Sequence, residues 1–482
     1  MAGSRFQRLS GESLVYGLGQ VSGRAVQFVL VPVLTRVLSP GAYAVSDLVI
    51  AYSQTAILVL VMGMDGALAR HFYQEPDRAA RVRMVSTSLW FRLATSLAVG
   101  LVLFGLASSL STPLMGSPDY GKYLRIGAIT LPFTLLVLFA NDVLRVTFQP
   151  WKFIALNGLQ TVLAAGISLW LVCVQKIGVV GVLYGRLGAD LVSALFGLVL
   201  VRHTIRPQFS AATLRRMAAY GLPLVPGAFA YGVLMGVDRY MLQHTRSLEE
   251  VAVYAVGIKF FALMSLAISA FQLAYGPFAY SVAHQSDAPP IFARILLTFV
   301  AVGSTGALLL SLFAPEILRW AVPPSYSGAG LLVAWLAFAA VAQGIYSITS
   351  IGIGLALRTH LLIWTAGGAM LVACVAQWFL TPRWGAPGAA AATFLAYATS
   401  ALLTYRVSQR VHVLPYRGGR VLTLVLAGLV LALAIPRLAP AGFAGLGLKL
   451  ASLAGFALLC GSLRVWTVRG AVAPRSLTRL QA

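Results

Sequence analysis

The chain has 482 residues, of which 59% are hydrophobic and only 10% charged, and its mean hydropathy is +0.84; soluble domains carry about 25% charged residues, so a water-soluble globule is excluded. A formal net charge of +23 raises the question of nucleic acid, but the basic residues are scattered over connections between apolar runs instead of lining one face. Membrane topology and anionic lipid headgroups account for that charge better, and no nucleic-acid partner is expected.

About fourteen spans are expected, starting near residues 14, 42, 86, 121, 152, 179, 214, 249, 290, 326, 359, 384, 418 and 440, because runs such as 93–110, 131–140, 161–174 and 421–435 reach or approach the roughly 20 residues that cross about 30 Å of hydrocarbon. Strand periodicity is absent, and the Leu, Ala, Val and Gly content suits closely packed helices. The expected fold class is an all-α polytopic membrane protein.

The first span opens on MAGSRFQRLS, which has the basic start of a signal peptide. Its apolar part is too long, is interrupted by Gln20 and Arg24, and lacks a small-x-small cleavage site, so it is expected to stay as a helix. Gln20, Arg24 and Gln27 recur at i, i+4 and i+7, one polar stripe along an apolar helix. A guanidinium at that depth suits bidentate binding of phosphate oxygens; the plain alternative is an ion pair with a neighbouring Asp.

The second span carries Asp47, with Gln54 two turns on, and Asp65 near its far end; the third carries Arg92 and the fourth Asp142. On the sixth, Arg186, Asp190 and Ser193 repeat the i, i+4, i+7 spacing, and the first two can neutralise one another. The seventh contains YGVLMGVDRYML, with Asp238 and Arg239 side by side. A charge at bilayer depth costs roughly 2.5–3.5 kcal/mol even on insertion scales, so it faces protein or water and has a partner. Either these two fix helix packing, or Asp238 faces a central cavity. Lys259, one turn into the eighth span, either snorkels to the interface or joins that cavity. Arg24, Gln20, Gln27, Arg239, Lys259 and Arg186 are the candidate substrate-binding residues, and Asp47, Asp65, Asp142, Asp190 and Asp238 the candidate coupling or structural carboxylates. Pro32, Pro132, Pro223, Pro226 and Pro277 are expected to kink spans. Cys173, Cys374 and Cys460 lie far apart in apolar helices and suggest neither disulfide nor metal.

With the N-terminus inside, about 22 of the 36 Lys and Arg fall at cytoplasmic ends and about nine at outer ends, the asymmetry that the positive-inside rule expects. Both termini are then cytoplasmic. GAYAVSDL at 41–48 is echoed by AVYAVGIK at 252–259, and QKIGVVGVLYGRLGADL at 175–191 by PRWGAPGAAAATFLAYA at 382–398, which aligns Gly178 with Gly385. Two pairs at nearly one shift point to duplicated six-span bundles. The expected units are 1–202, a basic linker 203–213, 214–411, and two additional spans with a basic tail, 412–482. Arg186 and Asp190 align with Thr393 and Tyr397, so that ion pair has no copy in the second unit.

VLTRVLSPGAYAVSDL, MGMDGALARHF and VDRYMLQHTRSLEEVAVYAVGIKF, in that order and spacing, resemble segments of bacterial polysaccharide flippases, the Wzx-type transporters of the MOP superfamily. The resemblance covers nearly the whole chain. It implies a MATE-like fold and movement of undecaprenyl-pyrophosphate-linked oligosaccharide from the cytoplasmic to the periplasmic leaflet of a bacterial inner membrane, for O-antigen, capsule or exopolysaccharide. The matching positions are Asp65 and Arg70, Asp238 and Arg239, and Tyr254 and Lys259; Ala44 and Ala252 stand where the family often has Gly. A lipid II-type flippase is a close alternative. A MATE-like antiporter would use carboxylates for cationic substrates and usually twelve spans. A membrane glycosyltransferase or polymerase would be expected to show a large outer loop, whereas Asp119 and Glu249-Glu250 are the main acidic outer features, so no enzyme is expected. The chain has no GxxxxGK[ST] loop, so ATP is not expected to drive it from within; the energy is expected to come from an ion gradient, with Na⁺ or H⁺ as the candidate coupling ion, from the membrane potential or from substrate consumption, and no cofactor is expected. Expected partners are the lipid-linked oligosaccharide, membrane lipids and other polysaccharide-assembly membrane proteins.

Overall fold

A computed structural model describes residues 30–463 and 465, except 284, 286, 287, 357, 359 and 441. Residues 30–37 are helical, and fourteen longer helices follow: α1 (Pro40–Leu60), α2 (Met64–Gln74), α3 (Arg78–Met115), α4 (Gly121–Val146), α5 (Pro150–Leu169), α6 (Val179–Val201), α7 (Ala211–Gly221), α8 (Val225–Thr245), α9 (Leu248–Val282), α10 (Ala288–Ala321), α11 (Gly330–Thr349), α12 (Leu361–Val411), α13 (Gly418–Leu438) and α14 (Phe443–Ser462). Among the described residues no strand occurs.

Twelve helical segments in the described part are long and apolar enough to cross a membrane. One of them, α12, has 51 residues, which at 1.5 Å per residue is about 75 Å, more than twice the hydrocarbon thickness. Gly385 (φ 60°, ψ −138°) breaks it into two arms, and counting these separately brings the crossings to thirteen. The first predicted span lies largely outside the described residues, and Gln20, Arg24 and Gln27 lie wholly outside them.

Local chemistry sets the helix ends. Asp77 caps α3 by accepting from the N–H groups of Ala79 and Ala80 at 3.1 and 3.0 Å, so α3 begins at Arg78, eight residues before the apolar run suggests. Its first turns hold Arg78, Arg81 and Arg83, which hydropathy cannot register as part of a span. The second and seventh spans are each divided. Met62 and Gly63 adopt positive φ between α1 and α2, and a 3₁₀ turn holding Pro223 separates α7 from α8, with Pro226 in the first turn of α8. The two breaks meet, since Gly63 and Gly221 approach backbone to backbone where a side chain on either would collide.

In the first predicted unit, α4 packs on α3 and α6, and α5 on α6; in the second, α11 packs on α9, α10 and both arms of α12, and α8 lies along α12. The C-terminal α13 continues the second group by packing on α10. Helix α1 packs mainly on α8 and α9, which belong to the other predicted unit. The largest apolar cluster accordingly runs from Tyr43, Leu48 and Val49 into Phe260, Leu308, Phe338 and Leu429, while a second, around Met84, Phe139, Phe153 and Leu156, lies mostly in the first unit and takes in Met217 of the second. Connections at one end of the bundle (75–77, 202–210, 412–417) hold or are flanked by half of the described arginines, twelve of 24; the other end (116–120, 175–178, 246–247, 322–329) has few.

Candidate functional site

The charged residues singled out on α1, α8 and α9 converge. Arg239 Nε donates to Asp47 Oδ2 at 2.7 Å, and its Nη1 lies 3.3 Å from Asp238 Oδ1. Lys259 Nζ stands 3.7 Å from the other oxygen of Asp47. Tyr254 donates its hydroxyl to Asp238 Oδ2 at 2.5 Å, lies 3.1 Å from Thr393 Oγ1, and presents its ring to the guanidinium 5.7 Å away. Two carboxylates and two cations therefore balance, which is what low-dielectric surroundings demand of charges. The pairing joins the two predicted units, because Asp47 belongs to the first and the other groups to the second. Asp47 and Asp238 are almost wholly buried, whereas Lys259 keeps 28% of its side chain exposed. It points into a cavity and does not snorkel to the interface.

That cavity has a volume of about 410 Å³ and lies between α1, α8, α9, α11 and the second arm of α12. Its wall runs along α1 from Asp47 to Leu58 and along α9 from Ile258 to Gln272, that is, from the charged cluster toward the arginine-rich end over roughly 15–20 Å. Past the cluster, toward the opposite end, Gly41 meets Leu248 and the Tyr43 ring packs edge-on to Tyr326. Away from the cluster the wall is uncharged and mixed, with Gln54, Tyr231, Ser265, Gln272, Gln343 and Tyr397 set among apolar side chains such as Ile50, Leu58, Leu234, Met235 and Phe261. Gln343 accepts from Ser265 at 3.1 Å and donates to Tyr231 at 3.4 Å. Such a surface offers hydroxyl and amide groups to a hydroxyl-rich ligand and two cations to an anionic one.

The remaining candidates lie elsewhere. Arg186 lines a small crevice behind α1 with Val49, Ser53 and Thr130. Its Nε is 3.9 Å from Asp190, too far for a hydrogen bond, and Asp190 is held instead by Thr134 Oγ1 at 2.5 Å and Gln160 Nε2 at 2.6 Å. Asp142 is enclosed by the fully buried Arg92, 2.8 Å away, and by Arg145. Asp65 is exposed in the first turn of α2, and Arg70 lies over the Tyr220 ring at 4.8 Å. The cysteines are free.

Sequence reading passed over Tyr231, Ser265, Ser269, Gln272 and Gln343. A signal was present for three of them: Ser265, Ser269 and Gln272 repeat i, i+4, i+7, the spacing that drew attention to the first span. Tyr231 precedes Asp238 by seven residues and Gln343 precedes Ser347 by four, but only the packing brings the two helices to one cavity.

Solved structures with this architecture are transporters. The inward closed conformation of the lipid II flippase MurJ superposes with a TM-score of 0.73 at 13% identity, covering 93% of this chain and 99% of that one. The Vibrio cholerae MATE transporter VcmN in its bent form gives 0.57 at 14% identity, covering 84% and 97%. At these identities the likeness establishes the fold alone, one shared with MurJ and the MATE transporters. In sequence, the chain is 22% identical to the Lsg locus putative protein 1 of Haemophilus influenzae over 325 residues, 66% of this chain and 77% of that protein. It is 29% identical to the succinoglycan biosynthesis transport protein ExoT of Rhizobium meliloti over 159 residues, 31% of each. The profile of the family described as polysaccharide biosynthesis protein matches residues 11–277, more than half of the sequence, and the chain belongs to that family.

Proposed function

We propose that this protein is a flippase that carries the head of a polyprenyl-pyrophosphate-linked oligosaccharide across the membrane by alternating access. The observation that carries the reading is the cavity in which Arg239 and Lys259 share Asp47 across the two predicted units. A pyrophosphate is a stronger anion than one carboxylate and presents several oxygens to the guanidinium fork. Entering from the arginine-rich side, it would compete with Asp47 for both cations. Loss of Asp47 from the cluster would loosen α1 from α8 and α9, the contact that closes the cavity beyond the cluster. Binding of the head would thereby favour the conformation open to the far side, which is how a ligand shifts a two-state equilibrium.

Gln54, Gln272, Gln343, Tyr231 and Tyr397 would meet the sugar hydroxyls, and Arg24, on the polar stripe of the first predicted span, would add a third cation. The arginine-rich end would face the cytoplasm of a bacterial inner membrane, giving export toward the periplasmic leaflet. A coupling ion, Na⁺ or H⁺, would act through the same carboxylates.

The test is flipping of a labelled undecaprenyl-pyrophosphate-linked oligosaccharide in proteoliposomes, read with a membrane-impermeant reagent while ion gradients are varied one at a time. Arg239→Ala and Lys259→Ala are each expected to lower the rate at least about tenfold, the loss of one charge-assisted contact. Wild-type rates in the double variant would remove the cavity from the pathway. The MurJ-like fold favours lipid II as a second substrate to try in the same vesicles, and faster movement of lipid II would replace the oligosaccharide reading.

A further inference from the structure

A second, apolar cleft of about 350 Å³ lies on the other side of α1 from the charged cavity, between α1, α3 and α4. Val49, Leu103, Leu110, Leu124 and Leu131 line it, and Phe229 of α8 closes one rim. Its polar neighbours are mostly spoken for: Tyr52 donates to Leu114 O at 2.7 Å and Thr55 to Ala51 O at 3.1 Å. Nothing there would hold a charged head, and everything suits hydrocarbon.

The two cavities share Thr55 as a wall residue. What separates them is the contact between α1 and α8, where α8 contributes almost no side chain: a methyl group placed on Gly232 would stand 3.2 Å from Thr55 Cγ2, and one on Gly236 3.3 Å from Thr55 Oγ1. Phe229, Gly232 and Gly236 share one face of α8, so the same face meets the cleft and forms the seam. An amphiphile with its head against Arg239 and Lys259 leads its tail out between two of the helices that wall the cavity, which are α1, α8, α9, α11 and the second arm of α12. The α1–α8 seam is where the polar cavity comes next to an apolar receptacle.

Resting on the flippase reading, we propose that the cleft between α1, α3 and α4 binds the first part of the isoprenoid tail of the same diphosphate lipid, and that the Thr55–Gly232–Gly236 seam is the passage between head site and tail site. The tail is then held by the protein instead of trailing freely in the bilayer.

The test uses purified full-length protein and two probes, the long undecaprenyl diphosphate and the short, tail-less inorganic pyrophosphate. Wild type is expected to bind the long probe about tenfold or more tightly than the short one, since each buried CH₂ contributes about 0.8 kcal/mol. Leu103→Trp and Leu110→Trp, which fill the cleft, are expected to bring that ratio toward one while leaving the affinity for inorganic pyrophosphate unchanged, which also reports that they fold. Val162→Trp, on the exposed side of α5, is expected to leave the ratio alone. An unchanged ratio in the two cleft variants overturns the tail site. No binding of either diphosphate by wild type overturns the reading of the charged cavity, and the tail site with it. On unaltered protein, a diazirine-bearing polyprenyl diphosphate is expected to label residues 103–110, with competition by undecaprenyl diphosphate and not by phosphatidylglycerol. Equal competition by both would make the occupant ordinary bilayer lipid and overturn the proposal.

Discussion

Helix α6 and the second arm of α12 start from the same backbone and end in different chemistry. Gly178 (φ 63°, ψ −136°) and Gly385 (φ 60°, ψ −138°) stand at their starts in nearly one conformation, a region of the map that residues other than glycine rarely enter. Two turns on, α6 carries Arg186 and Asp190, while the arm of α12 carries Thr393 and Tyr397 at the aligned positions. The charged pair faces away from the central cavity, with Asp190 enclosed by Thr134 and Gln160. The neutral pair lines the cavity, and Thr393 supports Tyr254. Equal scaffolds thus place their charges differently, and the presence of ionisable groups on a span does not locate a site.

The starkest way to break this contrast is to remove the cation on each side. Arg239→Ala leaves two buried carboxylates with one cation, Asp47 keeping only Lys259 and Asp238 only neutral donors such as Tyr254, and breaking a buried pair costs about 3–5 kcal/mol; a large fall in unfolding temperature is expected, with partial recovery in Arg239→Lys. Arg186→Ala is expected to cost no more than about 1 kcal/mol, because Asp190 keeps its two hydrogen bonds. Equal losses in the two variants would erase the difference between the regions.

The matching glycines sharpen the comparison next. Alanine at either bears strain of about 1–3 kcal/mol. At 385 the added methyl would also collide with Glu250 Oε2, which accepts from Ala386 N at 2.7 Å, whereas open space surrounds Gly178. Gly385→Ala is therefore expected to melt well below Gly178→Ala in parallel thermal scans.

Carboxylate neutralisation comes third. Asp190→Asn is expected to lower stability by about 1–3 kcal/mol and leave flipping per folded molecule intact. Asp238→Asn is expected to do the reverse in proportion, slowing transport more than its stability loss explains; transport per folded molecule equal to wild type would return Asp238 to a packing role. The smallest effect belongs to Thr393→Val, which removes one hydroxyl from Tyr254 and is expected to cost about 0.5–1.5 kcal/mol, read by unfolding temperature against wild type.

Much of the architecture could be read before any coordinates. Spans expected at 121, 179 and 418 begin at those residues, and 249 and 384 begin within one. The larger miss, at α3, arose because Asp77 and three arginines extend the helix beyond the hydrocarbon, where hydropathy has nothing to detect. The breaks at Met62-Gly63 and at Pro223 were hidden inside apolar runs: glycine and proline permit a break, but the meeting of Gly63 with Gly221 is a matter of tertiary packing.

The site divides in the same way. That Asp47, Asp238, Arg239 and Lys259 each need a partner follows from composition alone, since hydrocarbon cannot solvate them. That Asp47 meets Arg239, 192 residues later, and that Asp142 and Asp190 are spent on local partners, were settled by helix packing. For the described residues, the sequence by itself determined roughly where most spans begin, because a bilayer imposes length and apolarity on each span separately. Which buried charges meet, and which two cavities share Thr55, the tertiary structure alone decided, because those relations depend on how helices distant in sequence lie against one another.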